Sequence, residues 1–239
     1  MDGAVAGGSA RPDALAAAAL LLARRFAAGA TMWCVAPGAP EHARHVAVEF
    51  VHPVIVGTRA LPAVSVAGPE PVAVLRAAAR PDDVVLVVGA GADDTVVDGL
   101  QRAPPWGLTS IWVGWGDEAA AAPVPTDARL WTDDVDGSAR FDGRLVLTYH
   151  LLWELTHVCF EHPGLLTDDS ECVKDVCITC SDEGRLAEVV RVDGGGDAVV
   201  RTARGVERVD VSLVGEVRPD DLVLVHAGTA LSLVSGASR

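Results

Sequence analysis

Residues 82–90 read DDVVLVVGA, and the five consecutive apolar side chains of this run leave no polar position that could face water. Strands without polar alternation are typical of parallel sheets that helices cover on both faces. A second apolar run, LTSIWVGWG at 108–116, follows a helical pattern, DDTVVDGLQR at 93–102. Strand, helix and strand in this order predict an α/β domain with a parallel sheet.

The flanking sequence repeats this alternation in both directions. Pro12 suits the first turn of a helix and Gly29 suits its end. The predicted elements are a helix at 12–29, a strand at 31–36, a helix at 40–50, a strand at 61–67, a helix at 69–79 and a long amphipathic helix within 140–162. The first domain is therefore predicted to span residues 12–162.

The character of the sequence changes after Pro163, and from residue 184 onward valine-rich segments separated by glycines take over. Several of them, such as RLAEVVRVD at 185–193, alternate apolar and polar residues, which is typical of half-buried antiparallel strands in a small barrel. Three glycines at 194–196 predict a hairpin turn. We place the domain boundary near 163–176 and a β-barrel domain at 177–236.

The composition excludes several classes of partner. The 239-residue chain carries 19 Lys and Arg against 33 Asp and Glu, a formal net charge of −14. An acidic surface repels phosphate backbones and anionic lipids, which argues against binding to nucleic acids or membrane surfaces. The sequence shows neither an apolar run of about 18–20 residues, as a membrane span requires, nor the pattern of a signal peptide. With an odd number of cysteines, these features predict a cytoplasmic protein without a disulfide framework.

The C-terminal part contains SLVGEVRPDDLVLVHAGTAL at 212–231. With the segments that precede it, from residue 177 onward, it resembles the HypC/HupF family of nickel–iron hydrogenase maturation chaperones. The resemblance implies an OB-like β-barrel. It also implies that the domain handles the iron fragment that carries cyanide and carbon monoxide, together with a HypD-type maturation protein and the hydrogenase large-subunit precursor.

The resemblance places the family's functional cysteine at Cys177 and its histidine, in the segment VLVH, at His226. A soft thiolate suits low-spin iron with strong π-acceptor ligands, and a neutral imidazole can complete such a site. The sequence departs from the family in two respects. Cys177 is internal, whereas the family's cysteine follows the initiator Met, and ITCSD follows it in place of an apolar run. Cys180, three residues later, is a rival ligand.

The crowded cysteines leave another interpretation open, a zinc knuckle unrelated to hydrogenases. Cys159 lies in a helical pattern between Val158 and Phe160, so a buried thiol is the competing interpretation for that residue. The knuckle would draw its ligands from Cys159, Cys172, Cys177, Cys180, His157 and His162.

Two segments of the first domain, HARHVAVEFVHPVIVGTRALPAVSV at 42–66 and YHLLWELTHVCFEHP at 149–163, resemble the SIS (sugar isomerase) fold. The resemblance is to the sedoheptulose-phosphate isomerase branch and covers about residues 12–162. It implies a parallel-sheet sandwich, and the domain is a candidate for self-association into a homo-oligomer. In that branch, two loops rich in Gly, Ser and Thr hold a sugar phosphate.

The corresponding loops lack most of these features here. They read APGAPEHA at 36–43 and GAGADDT at 89–95, and Pro40 removes a backbone donor. Asp93 and Asp94 place negative charges where a phosphate dianion would lie, and repulsion of about 1–4 kcal/mol per pair opposes binding. We therefore expect a degenerate docking or dimerisation module without isomerase activity. The alternative is a bifunctional protein with an active isomerase domain.

The metal-binding positions of the branch are better kept. His45 and Glu49 match its HxxxE element, an i, i+4 pair on one helical face, and His150 matches the histidine of its C-terminal helix. Asp142, eight residues before His150, falls where the family has a Gln ligand. The four side chains could hold a divalent ion, with zinc as the candidate, in tetrahedral N/O geometry. The alternative is a solvated His45–Glu49 pair worth roughly a few tenths of a kcal/mol.

Overall fold

The computed structural model describes residues 10–55, 57–132, 143–166 and 184–235. Among the candidate ligands, His45, Glu49, His150 and His226 fall within these ranges, whereas Asp142, Cys172, Cys177 and Cys180 lie outside the described residues. The chain forms two compact units. The first comprises Met1–Gln101 and Thr109–Asp168, and the second comprises Arg102–Leu108 and Asp169–Arg239.

The first unit is built on a parallel sheet of five strands. In chain order they are β1 (Met32–Val35), β2 (Ala63–Val66), β3 (Val84–Ala90), β4 (Thr109–Trp115) and β5 (Ala128–Thr132), arranged side by side as β2-β1-β3-β4-β5. The helices are α1 (Pro12–Ala27), α2 (Pro40–Val51), α3 (Pro71–Ala78), α4 (Asp94–Arg102) and α5 (Gly143–Glu161). The structure thus confirms the predicted α/β fold class.

Strands β3 and β4 are buried along their whole length except for the last residue of each. This burial on both faces explains why neither strand alternates polar with apolar residues. Leu86 and Val88 lie in a core cluster that also holds buried side chains of α1, α2 and α5. Within the described residues, the predicted elements of this unit begin and end within two residues of their expected limits, and α5 lies inside 140–162.

The sequence reasoning missed the edge strand β5, which reads ARLWT. Its charged Arg129 breaks the apolar run that marks the other strands. Trp131 pairs with Gly114 of β4, and a Cβ atom at Gly114 would overlap the indole ring. The guanidinium of Arg129 lies 4.6 Å from the ring centroid of Trp112, so the charged side chain is accommodated by a cation–π contact.

The second unit contains a closed barrel of five strands. They are β6 (Arg185–Gly194), β7 (Asp197–Thr202), β8 (Gly205–Asp210), β9 (Leu222–His226) and β10 (Thr229–Ser235), in the order β10-β8-β7-β6-β9. The neighbouring strands are antiparallel except β10 and β8, which close the barrel in parallel. Gly194, Gly195 and Gly196 all have positive φ, which confirms the predicted turn between β6 and β7. The predicted barrel is confirmed.

Among the helices of the described residues, none combines the length and the apolar character that crossing a bilayer requires.

A buried ion pair lies within the second unit. Glu188 of β6 is 2% exposed, and the Nη1 atom of Arg102 donates to its Oε1 atom at 2.6 Å. Trp106 Nε1 donates to the other carboxylate oxygen at 2.9 Å. Arg102 also donates to the backbone carbonyl of Asp220 at 3.1 Å. The short segment 102–108 therefore supplies the hydrogen bonds that this buried carboxylate requires.

Replacing Arg102 by Ala is expected to destabilise the barrel by about 3–5 kcal/mol, because the Glu188 carboxylate then stays buried without its closest cation. Hydrogen exchange of the β6 and β7 amides, followed by mass spectrometry, measures this change. Arg25→Ala serves as control, because Arg25 pairs with Asp82 at 3.2 Å with side chains 37% and 81% exposed. The Arg25→Ala substitution should reduce stability by less than about 1 kcal/mol. Equal effects of the two variants would contradict the prediction.

Candidate functional site

The side chains of His45, Glu49 and His150 converge at one place in the first unit. His45 and Glu49 lie one helical turn apart on α2, and His150 lies on α5. The two Nε2 atoms are 3.1 Å apart, and Glu49 Oε1 lies 3.3 Å from His45 Nε2 and 3.6 Å from His150 Nε2. The structure therefore brings together three of the four predicted metal ligands.

These distances fit a divalent ion. Ligand atoms that lie 2.0–2.1 Å from a tetrahedral ion are separated from one another by roughly 3.3 Å. The three measured separations, 3.1, 3.3 and 3.6 Å, lie close to that value. Two imidazole nitrogens and a carboxylate oxygen form a donor set that suits zinc. The side chains are 39%, 20% and 41% exposed, so an ion could enter from solvent.

A buried tyrosine, Tyr149, and a further histidine, His42, adjoin the three candidate ligands. Tyr149 Oη lies 2.9 Å from His45 Nδ1 and 3.3 Å from His42 Nδ1. Burial, with a smaller contribution from the negative charge of Glu49, raises the pKa of Tyr149 to about 12. The phenol therefore keeps its hydrogen near neutral pH. Sequence reasoning missed both residues, although each is near a predicted ligand in sequence: His42 precedes His45 by one turn and Tyr149 precedes His150.

The carboxylate of Asp93 lies at the start of α4. Asp93 Oδ1 accepts hydrogen bonds from the backbone N–H groups of Thr95 at 2.9 Å and Val96 at 3.3 Å. A Cβ atom at Gly38 would lie 3.6 Å from Asp93 Oδ2, so the carboxylate also adjoins the loop after β1. An anion at a helix N-terminus would need these same backbone donors. Asp93 therefore engages the backbone N–H groups that a phosphate would need.

His226 is the last residue of β9 and is half-buried. Val225 pairs with Arg185, so His226 lies at the end of β9 where β6 begins. Ala227 and Gly228 follow with positive φ and turn the chain into β10. Cys177 precedes Gly184, the first described residue of this region, by seven positions. The pairing of Cys177 with His226 stays a prediction.

Two proposed ligands of a zinc knuckle have other roles. Cys159 is buried, and burial raises the pKa of its thiol although the charge of Arg24 partly opposes the shift. His157 has a backbone carbonyl at each ring nitrogen, Trp153 O at 2.9 Å and Arg59 O at 3.0 Å. Both residues thus belong to the core of the first unit. Cys34, the other buried thiol of the described residues, likewise has its pKa raised by burial.

The fold of the first unit is that of the phosphoheptose isomerases. The chain is similar to the phosphoheptose isomerase from Francisella tularensis, with 16% identity and a TM-score of 0.54, over 65% of this chain and 88% of that one. It is similar to the phosphoheptose isomerase from Neisseria gonorrhoeae, with 17% identity and a TM-score of 0.51, over 63% of this chain and 86% of that one. These likenesses confirm the SIS-like fold.

The barrel matches a protein-family model. Residues 186–238 match the model of the HupF/HypC family. This match confirms the resemblance seen in the C-terminal sequence, and with the structural likeness it identifies a SIS-like unit followed by a HupF/HypC segment. Comparison of the chain with curated protein sequences gives no match.

We expect the full chain to show no turnover of sedoheptulose phosphate in a coupled assay and no thermal stabilisation by inorganic phosphate. In Asp93→Gly the backbone donors of α4 are released and the charge is removed, at little loss of capping. Phosphate should then raise the Tm. Asp94→Asn removes a neighbouring charge but leaves the Asp93 cap in place, so it should behave as the wild type. Wild-type turnover that disappears in His150→Ala would refute this expectation.

Proposed function

We propose that this chain is a maturation chaperone for a nickel–iron hydrogenase. Its barrel would carry the iron fragment with its cyanide and carbon monoxide ligands from a HypD-type protein to the hydrogenase large-subunit precursor. The observation that carries the proposal is the match of residues 186–238 to the HupF/HypC family on a closed five-stranded barrel. The iron fragment is the cargo of this function and not a resident cofactor.

Cys177 and His226 are the proposed ligands of the cargo. Iron with π-acceptor ligands favours a thiolate, and binding to the metal would hold the thiol deprotonated near neutral pH. The position of His226 supports the pair, because β9 ends where β6 begins and the chain reaches β6 from Cys177. Seven residues span at most about 25 Å when extended, so the thiol is within reach of this end of the barrel.

The first unit would act as a binding module in this proposal. Asp93 takes up backbone N–H groups at the start of α4 that an anion would need, which disfavours the alternative of an active isomerase. The net charge of −14 disfavours nucleic acid and anionic membranes as partners. Proteins are therefore the expected partners, and self-association through the first unit remains an expectation.

Infrared spectroscopy of the full chain, purified after co-expression with a HypD-type protein, tests the cargo assignment. Bands of bound cyanide and carbon monoxide are expected in the wild type and should be lost in Cys177→Ala, because the thiolate is then missing. Cys180→Ala is the matched control and should keep them. The same purification shows whether the HypD-type protein is retained.

Two results would contradict this assignment. Bands that survive Cys177→Ala but vanish in Cys180→Ala would transfer the ligand role to the other thiol. Bands that neither substitution changes would remove the cargo mechanism from these cysteines.

A second candidate function belongs to the first unit, where His45, Glu49 and His150 would hold a zinc ion. The separations of their ligand atoms support this site, and Asp142 is the proposed fourth ligand. A zinc ion there would supply a Lewis acid for an oxygen-bearing ligand. The protein's own part is to hold two imidazoles and one carboxylate in place from two packed helices.

Zinc affinity, measured by competition with a chromophoric chelator, tests this site. Glu49→Gln should weaken binding by more than the roughly 10–100-fold typical of losing an outer hydrogen-bond partner, because a direct ligand is lost. Glu154→Gln, an exposed position on α5, is the control and should bind as the wild type. Equal affinity of Glu49→Gln and the wild type would exclude these ligands.

A further inference from the structure

A chain of hydrogen bonds runs from His42 through Tyr149 to His45. Tyr149 Oη lies 3.3 Å from His42 Nδ1 and 2.9 Å from His45 Nδ1, so one hydroxyl faces two imidazole nitrogens. Both rings meet the phenol ring edge-on, at interplanar angles of 68° and 75°. The hydroxyl carries a single hydrogen and can donate it to only one of the two nitrogens at a time.

Burial makes these hydrogen bonds matter. Tyr149 is 1% exposed and His42 is 6% exposed, so water is a poor substitute for a lost partner. An unsatisfied buried polar group costs about 1–3 kcal/mol. The hydrogen bonds among His42, Tyr149 and His45 therefore adopt one of two complete arrangements, in which both bonds run in opposite directions.

In the first arrangement, His45 Nδ1–H donates to Tyr149 Oη, and the phenol hydroxyl donates to His42 Nδ1. His45 Nε2 then has no hydrogen and presents its lone pair. In the second, His42 Nδ1–H donates to the phenol, and the phenol donates to His45 Nδ1. The hydrogen of His45 then lies on Nε2, where Glu49 Oε1 is 3.3 Å away and His150 Nε2 is 3.1 Å away. Only the first arrangement leaves His45 able to bind an ion.

We propose that Tyr149, directed by His42, is a positioning residue that selects the metal-binding tautomer of His45. This inference rests on the proposed zinc site and deepens it. Hydrogen-bond partners of the second ring nitrogen commonly fix both the tautomer and the orientation of a metal-bound histidine. His42 has this effect when its Nδ1 atom accepts the phenol hydrogen, because the phenol oxygen is then left to accept from His45.

The positions of the residues support a dedicated role. His42 and His45 lie on one face of α2, and Tyr149 is adjacent in sequence to the ligand His150 on α5. The same pair of helices thus supplies both the ligands and the groups that orient one of them.

The test measures zinc affinity of the full chain by chelator competition, with zinc alone as the probe. Tyr149→Phe keeps the ring and its packing but removes the hydroxyl, and affinity should fall about 10–100-fold. His42→Leu should cause a loss of similar size, because the phenol can then donate to His45 instead. His42→Asn should restore affinity, since its amide oxygen can accept at the position of Nδ1.

A direct readout accompanies the affinities. In zinc-loaded wild-type protein, nitrogen-15 NMR of the histidine rings should show His45 with its hydrogen on Nδ1. In apo His42→Leu, the fraction of His45 with its hydrogen on Nε2 should exceed that of the apo wild type. Thr156→Val is the matched control, because it removes a buried hydroxyl of α5 that bonds to Leu152 O. It should leave both affinity and tautomer unchanged.

The outcomes separate the inference from the site on which it rests. Zinc binding that is lost in Glu49→Gln but unchanged in Tyr149→Phe overturns the positioning role and leaves the site in place. Equal losses in His42→Leu and His42→Asn overturn the part assigned to His42. A wild-type protein that does not bind zinc overturns the site and the positioning role together.

Discussion

The candidate metal centre depends on one constraint, which is that α2 and α5 bury their apolar sides in the same core cluster. Val46 and Phe50 of α2 and Leu145, Tyr149 and Leu152 of α5 all belong to it. His45 and Glu49 each precede a buried residue of α2, and His150 follows one of α5, so all three lie at the margin of the packed surface. The packing that excludes water from the core thus brings the ligand atoms within 4.8 Å of one another.

The same packing explains why the hydrogen-bonded side chains of His42, Tyr149 and His45 can lie beside an apolar core. His42 and Tyr149 are buried, and the phenol hydroxyl of Tyr149 lies within hydrogen-bond distance of His42 Nδ1 and His45 Nδ1. A buried polar network of this kind is stable only when its members are paired, and then it fixes the side chains in one geometry. The half-exposed candidate ligands therefore adjoin a buried, hydrogen-bonded support, as a well-ordered metal site requires.

Much of the fold could be predicted from the sequence, because β3 and β4 carry uninterrupted apolar runs and the barrel segments alternate. β5 could not, since the charged Arg129 interrupts its apolar run and is accommodated by a contact with the ring of Trp112 that no periodicity reveals. At the site, the i, i+4 spacing of His45 and Glu49 is local and visible. His150 lies 105 positions from His45 and could be placed only through the family resemblance. The contact of Tyr149 with His42 joins two helices, and nothing local in the sequence predicts it.

The first unit contains three candidate ligands for a cation. At the start of α4, by contrast, its own Asp93 carboxylate lies where an anion could otherwise bind. Asp93 offsets the partial positive charge at the start of α4 and takes up its free N–H groups, so a phosphate would have to displace a covalently tethered carboxylate. That competitor has a high effective concentration and loses no translational entropy on binding. Within the described residues, a zinc ion at His45, Glu49 and His150 would meet no such competitor, because these candidate ligands lie on α2 and α5. Phosphate binding and metal binding in a SIS-like unit would therefore depend on different groups, and a change at Asp93 would affect the first without the second.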